Sequence, residues 1–321
     1  MNGIHGTIPT EWQALTDLEN LVVGSNTLTG TFPNWLNKLT KLSNINFSNN
    51  RMDGTIPSSV GDFAELVALA LDRNLFTSMS GAFDTSVHAG LRNLTDLFLE
   101  DNQFTGTLTA NFLRDSGKLK YLDVSDNRLA GSVPSHFFEM TDLIVLDLHD
   151  NDFTRLPQSF PMNEKLGLLA LHKCNFESQP IPPSISNLKN LQHLDLSQNS
   201  FTGQIPSSIG TMTSLYYLFL AQNSFVGGNI PQWIANLTQL EELSLKTTQR
   251  SGPIPNFLGS LPSLMLLDLD DNELTGTIPA SLGGLRNLVG LLLNRNNLVS
   301  TIPQSFSQLR NLRKLHELLF A

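Results

Sequence analysis

The sequence predicts a mixed α/β solenoid: a right-handed superhelix of stacked coils, with a parallel sheet of about 12 strands lining its concave side. The convex side is expected to carry short strands, turns and 3-10 or helical segments. Three observations carry this expectation. A pattern of apolar residues and asparagine recurs along almost the whole chain, a glycine-and-proline signature follows most copies, and apolar residues make up 40% against 15% charged. A fixed period of that length means stacked units, because one coil cannot bury its own apolar face.

The pattern is L-x-x-L-x-L-x-x-N. Its first full copies are Leu18, Leu21, Val23, Asn26; then Leu42, Ile45, Phe47, Asn50; then Leu66, Leu69, Leu71, Asn74. It continues through Asn102, Asn127, Asn151, Cys174, Asn199, Asn223, Thr248, Asn272 and Asn296, mostly at spacings of 23 to 25 residues, with one of 28 between Asn74 and Asn102. Asn2 stands in the same register, 24 residues before Asn26, and makes a partial first repeat. The whole chain, 1–321, thus reads as one domain of about 12–13 repeats.

Each slot has a physical reason. Alternation such as Leu194, Asp195, Leu196 places the leucines inward from a strand and the aspartate outward. The asparagine falls where the chain bends inward, and its amide can bond backbone groups that a buried bend leaves open. Cys174 and Thr248 stand in that slot in two repeats, and both turns are expected to be weaker rungs. After most asparagines comes L-x-G-x-I-P, as in Leu28-Thr-Gly30-Thr-Phe-Pro33 and Leu274-Thr-Gly276-Thr-Ile-Pro279. Glycine permits the tight bend, and proline fixes φ and ends pairing.

Together the two signatures resemble the plant-type, extracellular-type leucine-rich repeat of receptor-like kinase ectodomains, receptor-like proteins and polygalacturonase-inhibiting proteins, over about residues 2 to 318. The resemblance implies an α/β leucine-rich-repeat solenoid, a non-enzymatic recognition role, a protein or peptide ligand and a co-receptor. It also implies residence outside the cell or at its surface.

The register breaks in places. The extra residues before Asn102 fall in 78–90 and are expected to bulge from the convex or lateral side. Near the end, Leu309, Leu312, Leu315 and Leu318 recur at helical spacing, predicting a capping helix over 305–320. The single cysteine, Cys174, excludes an intramolecular disulfide, and no leader or cap cysteines are visible. Those two features favour a cytoplasmic alternative.

Function classes narrow quickly. The net charge of -9 argues against a nucleic-acid partner. No apolar stretch approaches the ~20 residues that span a bilayer, so no membrane contact is expected from this segment. Phosphate-loop, kinase, nucleophile-elbow and metal-spacing motifs are absent, so no catalytic residue, cofactor or metal is assigned. His149, His172 and His193 fall on successive turns, but nothing in their spacing supports metal ligation.

Binding residues are sought in the outward slots, which build no core. There Phe98, Tyr121, His149, His172, His193, Tyr217 and Phe219 form an aromatic and imidazole stripe, interleaved with Asp123, Asp147 and Asp195. Exposed rings beside acids suit the anchors and rim of an interface for a ligand of basic character. Asn46, Asn93 and Asn236 open N-glycosylation sequons. The leading expectation is therefore recognition of a protein or peptide on the concave face. An inhibitor of a cell-wall-degrading enzyme and an intracellular adaptor or structural scaffold are the alternatives.

Overall fold

The computed structural model describes residues 2–79, 81–88, 90–299 and 301–316. The chain divides into two compact units, 1–157 and 158–321. Both are built from the same coil.

In the first unit the sheet strands are Asn20–Val22, Asn44–Asn46, Ala68–Ala70, Asp96–Phe98, Tyr121–Asp123 and Val145–Asp147. In the second they are Leu168–Ala170, His193–Asp195, Tyr217–Phe219, Glu242–Ser244, Leu266–Asp268, Gly290–Leu292 and Lys314–His316. Within each unit neighbours pair in parallel with no register slip, leucine on leucine except at Ile45, as in Leu97↔Leu122↔Leu146 and Leu194↔Leu218↔Leu243. The middle residue of each strand is buried except Leu315 in the last, which is exposed, while most flanking residues are half-buried on the outward face. Leu194 and Leu196 are fully buried and Asp195 lies between them facing out.

The leucine spine alone does not fill the coils. A second row of buried rings does, with Phe76 stacked on Phe104 at 6.3 Å and Phe176 on Phe201 at 5.2 Å. Past the asparagine, a short second strand leads to the glycine and proline. Gly54 sits at φ +80, and a side chain there would press on Thr31 Cγ2 at 3.0 Å, so both backbone and space select glycine. Pro33, Pro57, Pro206, Pro279 and their counterparts each immediately precede a five-residue 3-10 turn, because their fixed φ of about -65° presets its entry.

Two expectations need correction. The described part of the stretch predicted as a helix, 305–316, is not one: a 3-10 turn spans Gln304–Gln308 and a strand spans Lys314–His316, pairing Leu315 with Leu291. Leu318 lies outside the described residues. The leucine spacing of three is the repeat's own, since Leu285, Leu288 and Leu291 stand one period earlier, and strand pairing with the preceding coil decides the conformation.

The inserted stretch 78–90 does not bulge freely either. Ala82 and Phe83 are buried, the Phe83 ring lies 5.4 Å from Phe112, and Phe112 meets Phe137 edge-on at 6.2 Å. Leu113 N donates to Phe83 O at 2.8 Å, and His88 Nδ1 lies 2.8 Å from Asp62 Oδ1. Its own apolar residues pull the insertion into the core, leaving Val87 exposed.

Candidate functional site

The asparagines form the scaffold beneath the sheet. Asn74 is representative: its Nδ2 donates to Leu71 O and Asp72 O of its own turn and to Phe47 O of the turn before. Its Oδ1 accepts the Met52 N–H at 3.0 Å. One side chain thus bonds four backbone groups in two coils. Asn26, Asn50, Asn102, Asn127, Asn151, Asn199, Asn223, Asn272 and Asn296 each donate to carbonyls in the same manner.

Each rung depends on a feature that the sequence did not announce. The residue before every ladder position, from Ser25 to Arg295, has a left-handed backbone with φ between +49 and +57, and none of the twelve is glycine. The only signal was that the slot is polar throughout, which reads equally as an exposed turn.

At Thr248 the rung is rebuilt. Its Oγ1 donates to Leu245 O at 2.6 Å, replacing one of three amide bonds. Two residues on, Arg250 occupies the leucine slot of L-x-G-x-I-P and is buried. Its Nε and Nη2 donate to Thr248 O at 3.0 and 2.8 Å, and Nη2 also reaches Val226 O at 2.6 Å. Burial lowers its pKa, so the charge is held at a cost. Cys174 is also buried, with its Sγ 3.8 Å from His172 O.

On the outward face of the first unit, Asp123 pairs across strands with Phe98 on one side and Asp147 on the other, and Tyr121 lies between Asp96 and Val145. The acids are partly engaged within the chain. Asp123 Oδ1 accepts from Ser125 N and Oγ, and Asp147 Oδ1 accepts from His149 N and lies 2.6 Å from its Nδ1. His149 Nε2 is 3.2 Å from Asp126 Oδ2. Burial lowers the His149 pKa, but Asp147 and then Asp126 outweigh it and the net shift is upward. Glu100 is pushed up to about 7, first by burial and then by Asp123 and Asp72, and its Oε2 has no hydrogen-bond partner.

In the second unit Asp195 accepts from Ser197 N at 2.9 Å and Oγ at 2.6 Å, and its Oδ2 lies 3.1 Å from His172 Nδ1. Burial alone would raise the Asp195 pKa, but His172 and Ser197 outweigh it, so it is lowered and the group stays ionised. His193, Tyr217 and Phe219 form one ring cluster. The imidazole lies 5.4 Å from Tyr217 and 5.6 Å from Phe219, whose planes are 25° apart. The Tyr217 hydroxyl donates to Glu241 Oε2 at 3.1 Å.

The aspartates at 123, 147 and 195 therefore have a second role: each closes the end of its strand by accepting the N–H two residues on. The recurrent Asp-x-Ser at 123–125 and 195–197 was the available sign of it. Among the described residues, no grouping of three His, Cys, Asp or Glu side chains is arranged to hold a metal ion. None of their helices is long and apolar enough to cross a membrane.

The sequon asparagines differ. Asn46 is half-buried on the sheet face, and its Oδ1 accepts from Ser48 N. Asn93 donates its Nδ2 to Ala64 O at 3.0 Å, the atom a glycan would occupy. Asn236 is exposed at the end of the 3-10 turn Gln232–Asn236.

Comparison with known proteins agrees with this architecture. Family models described as leucine-rich repeat region and leucine rich repeat match residues 164–270, 256–316, 41–63 and 118–140, together more than half of the chain. Receptor-like protein 39 of Arabidopsis thaliana is 40% identical over 137 residues, which are 41% of this chain and 15% of that protein. The plant peptide hormone receptor RGFR1, solved in complex with RGF2, superposes with a TM-score of 0.77 at 30% identity, covering 98% of this chain and 57% of that one. The Arabidopsis receptor kinase HAESA, solved with the peptide hormone IDA and the co-receptor SERK1, gives 0.72 at 29% identity, covering 96% and 55%. The chain thus spans about half of these ectodomain structures and far less of the full-length relative. With its ladder, its glycine and proline turns and these matches, the chain belongs to the leucine-rich-repeat proteins of the plant extracellular type.

Proposed function

We propose that the chain is a recognition segment of a cell-surface receptor-like protein, holding an extended peptide of basic character across the outward face of its sheet, with a co-receptor completing the complex. The observation that carries this reading is the contrast between the two faces. The inward face is filled with leucine and phenylalanine, while Phe98, Tyr121, Tyr217 and Phe219 stay half-buried on the outward face among acids. Rigid rings supply contact area at low entropic cost, and surrounding carboxylates favour a cationic partner. Solved relatives that carry peptide hormones support the same reading.

The test is to pan a library of displayed random peptides on the purified chain and measure Kd for those recovered. Basic peptides are expected, weakened about tenfold or more by Phe98→Ala or Tyr217→Ala, the loss typical of an interface anchor. Recovered peptides indifferent to both substitutions would remove the outward face from consideration.

A further inference from the structure

The outward face of the second unit carries something more specific than scattered aromatic surface. Tyr217 and Phe219 stand two residues apart on one strand, so both rings rise from the same face, with centroids 6.4 Å apart. His193, on the neighbouring strand opposite Tyr217, touches both rings and meets Phe219 edge-on at 68°. A T-shaped neighbour engages at most one of the two faces of the phenyl ring, and Phe219 is only half-buried, so part of its negative quadrupole surface stays exposed. The Tyr217 hydroxyl is tied to Glu241, which fixes the second ring.

Acids border this platform on both sides. Across the strands Phe219 pairs with Asp195, and Tyr217 pairs with Glu242, next to Glu241. Asp195 is kept ionised by His172 and Ser197. Glu242 titrates upward because of burial and then the Glu241 charge beside it. Rings offering negative faces between carboxylates are an arrangement that binds an organic cation, and they offer little to an anion.

We propose that Tyr217 and Phe219, flanked by His193, Asp195, Glu241 and Glu242, form a cation–π subsite that takes the guanidinium of an arginine side chain. The inference deepens the peptide-binding reading and rests on it for biological context, but the subsite is defined by these six residues alone. Arginine is favoured over lysine because a planar, weakly hydrated guanidinium can lie against a ring and still bond a carboxylate at its edge.

The test uses N-acetyl-arginine-N-methylamide as the probe and its citrulline counterpart, the same shape without charge, as the control. Binding to the intact chain is followed by NMR of the tyrosine and histidine rings. The arginine probe should shift the Tyr217 and His193 signals saturably, and citrulline should not. Tyr217→Leu and Phe219→Leu keep apolar area but remove a quadrupole, and each should weaken the probe roughly fivefold to tenfold. Glu242→Lys should abolish binding. Equal binding of citrulline, or arginine affinity unchanged in both leucine variants, would overturn the subsite, and the citrulline comparison needs no variant to fold. Peptides recovered by panning that bind through Phe98, with no response to the arginine probe, would sink the subsite and leave the broader reading standing. Arginine binding at Tyr217 with no peptide recovered would do the reverse.

Discussion

At the scale of single residues, the coil is a compromise between hydrogen bonding and backbone strain. Arg73 and Arg295 precede ladder asparagines with φ of +52 and +50, a region costing an L-residue roughly 1 kcal/mol relative to glycine. Arg73→Gly and Arg295→Gly are therefore expected to raise stability by about 0.5–1 kcal/mol each in urea unfolding, and a loss would contradict the strain. The Thr248 rung gives a second expectation. An asparagine at 248 would restore the amide donors to Leu245 O and its neighbours that the Thr248 hydroxyl covers only once, and a leucine at 250 would remove a buried charge. Thr248→Asn with Arg250→Leu should then be more stable than the two single changes sum to, by about 1–2 kcal/mol. Strict additivity would show that the two departures are independent. The ladder was legible because all copies but those at Cys174 and Thr248 repeat one residue type. The left-handed residue before it was not, because its slot varies from Asp126 to Thr247 and only the bend geometry unites them.

At the scale of elements, the sheet strands of the first unit crowd acids on one face. Glu100 holds its proton up to about 7 when folded, against an ordinary value of 4.5. Below about 4.5 both states are protonated and the group has no effect. Between there and about 7 the folded state keeps a proton the unfolded state has released, so stability falls as pH rises, and the loss persists above. His149 acts in the same direction: its raised pKa contributes stability below its unfolded value of about 6.5 that disappears as pH climbs through the folded one. Urea unfolding should show stability dropping between about pH 5 and 8. Glu100→Gln should flatten the curve and raise stability at pH 8 by about 1–2 kcal/mol, after allowance for solvent screening of this partly exposed group. An unchanged slope would deny the burial of the Glu100 carboxyl. Strand identity was readable wherever leucine alternation was flanked by a following asparagine. It failed at Leu309, Leu312 and Leu315, where i, i+3 spacing fits a helix and a coil equally and pairing with Gly290–Leu292 decides. It failed also at 78–90, where length suggested a loose insertion and Phe83 made a packed one.

At the scale of the molecule, both compact units reuse one coil, so function must lie in what the coils do not share. The shared positions are leucine, asparagine, glycine and proline, and the unshared ones are the outward slots. Those slots were visible in the sequence, which is why the aromatic stripe could be named from it. Their chemistry was not, because Asp123, Asp147 and Asp195 turn out to close their own strands as well as face solvent. The direct measurement is photo-cross-linking of a panned basic peptide carrying a benzophenone, with the modified residues located by mass spectrometry. Cross-links on the outward slots, at or beside Phe98, Tyr121, Tyr217 and Phe219, are the expected result. Cross-links confined to the 3-10 turns, such as Gln232–Asn236, would contradict recognition by the sheet face.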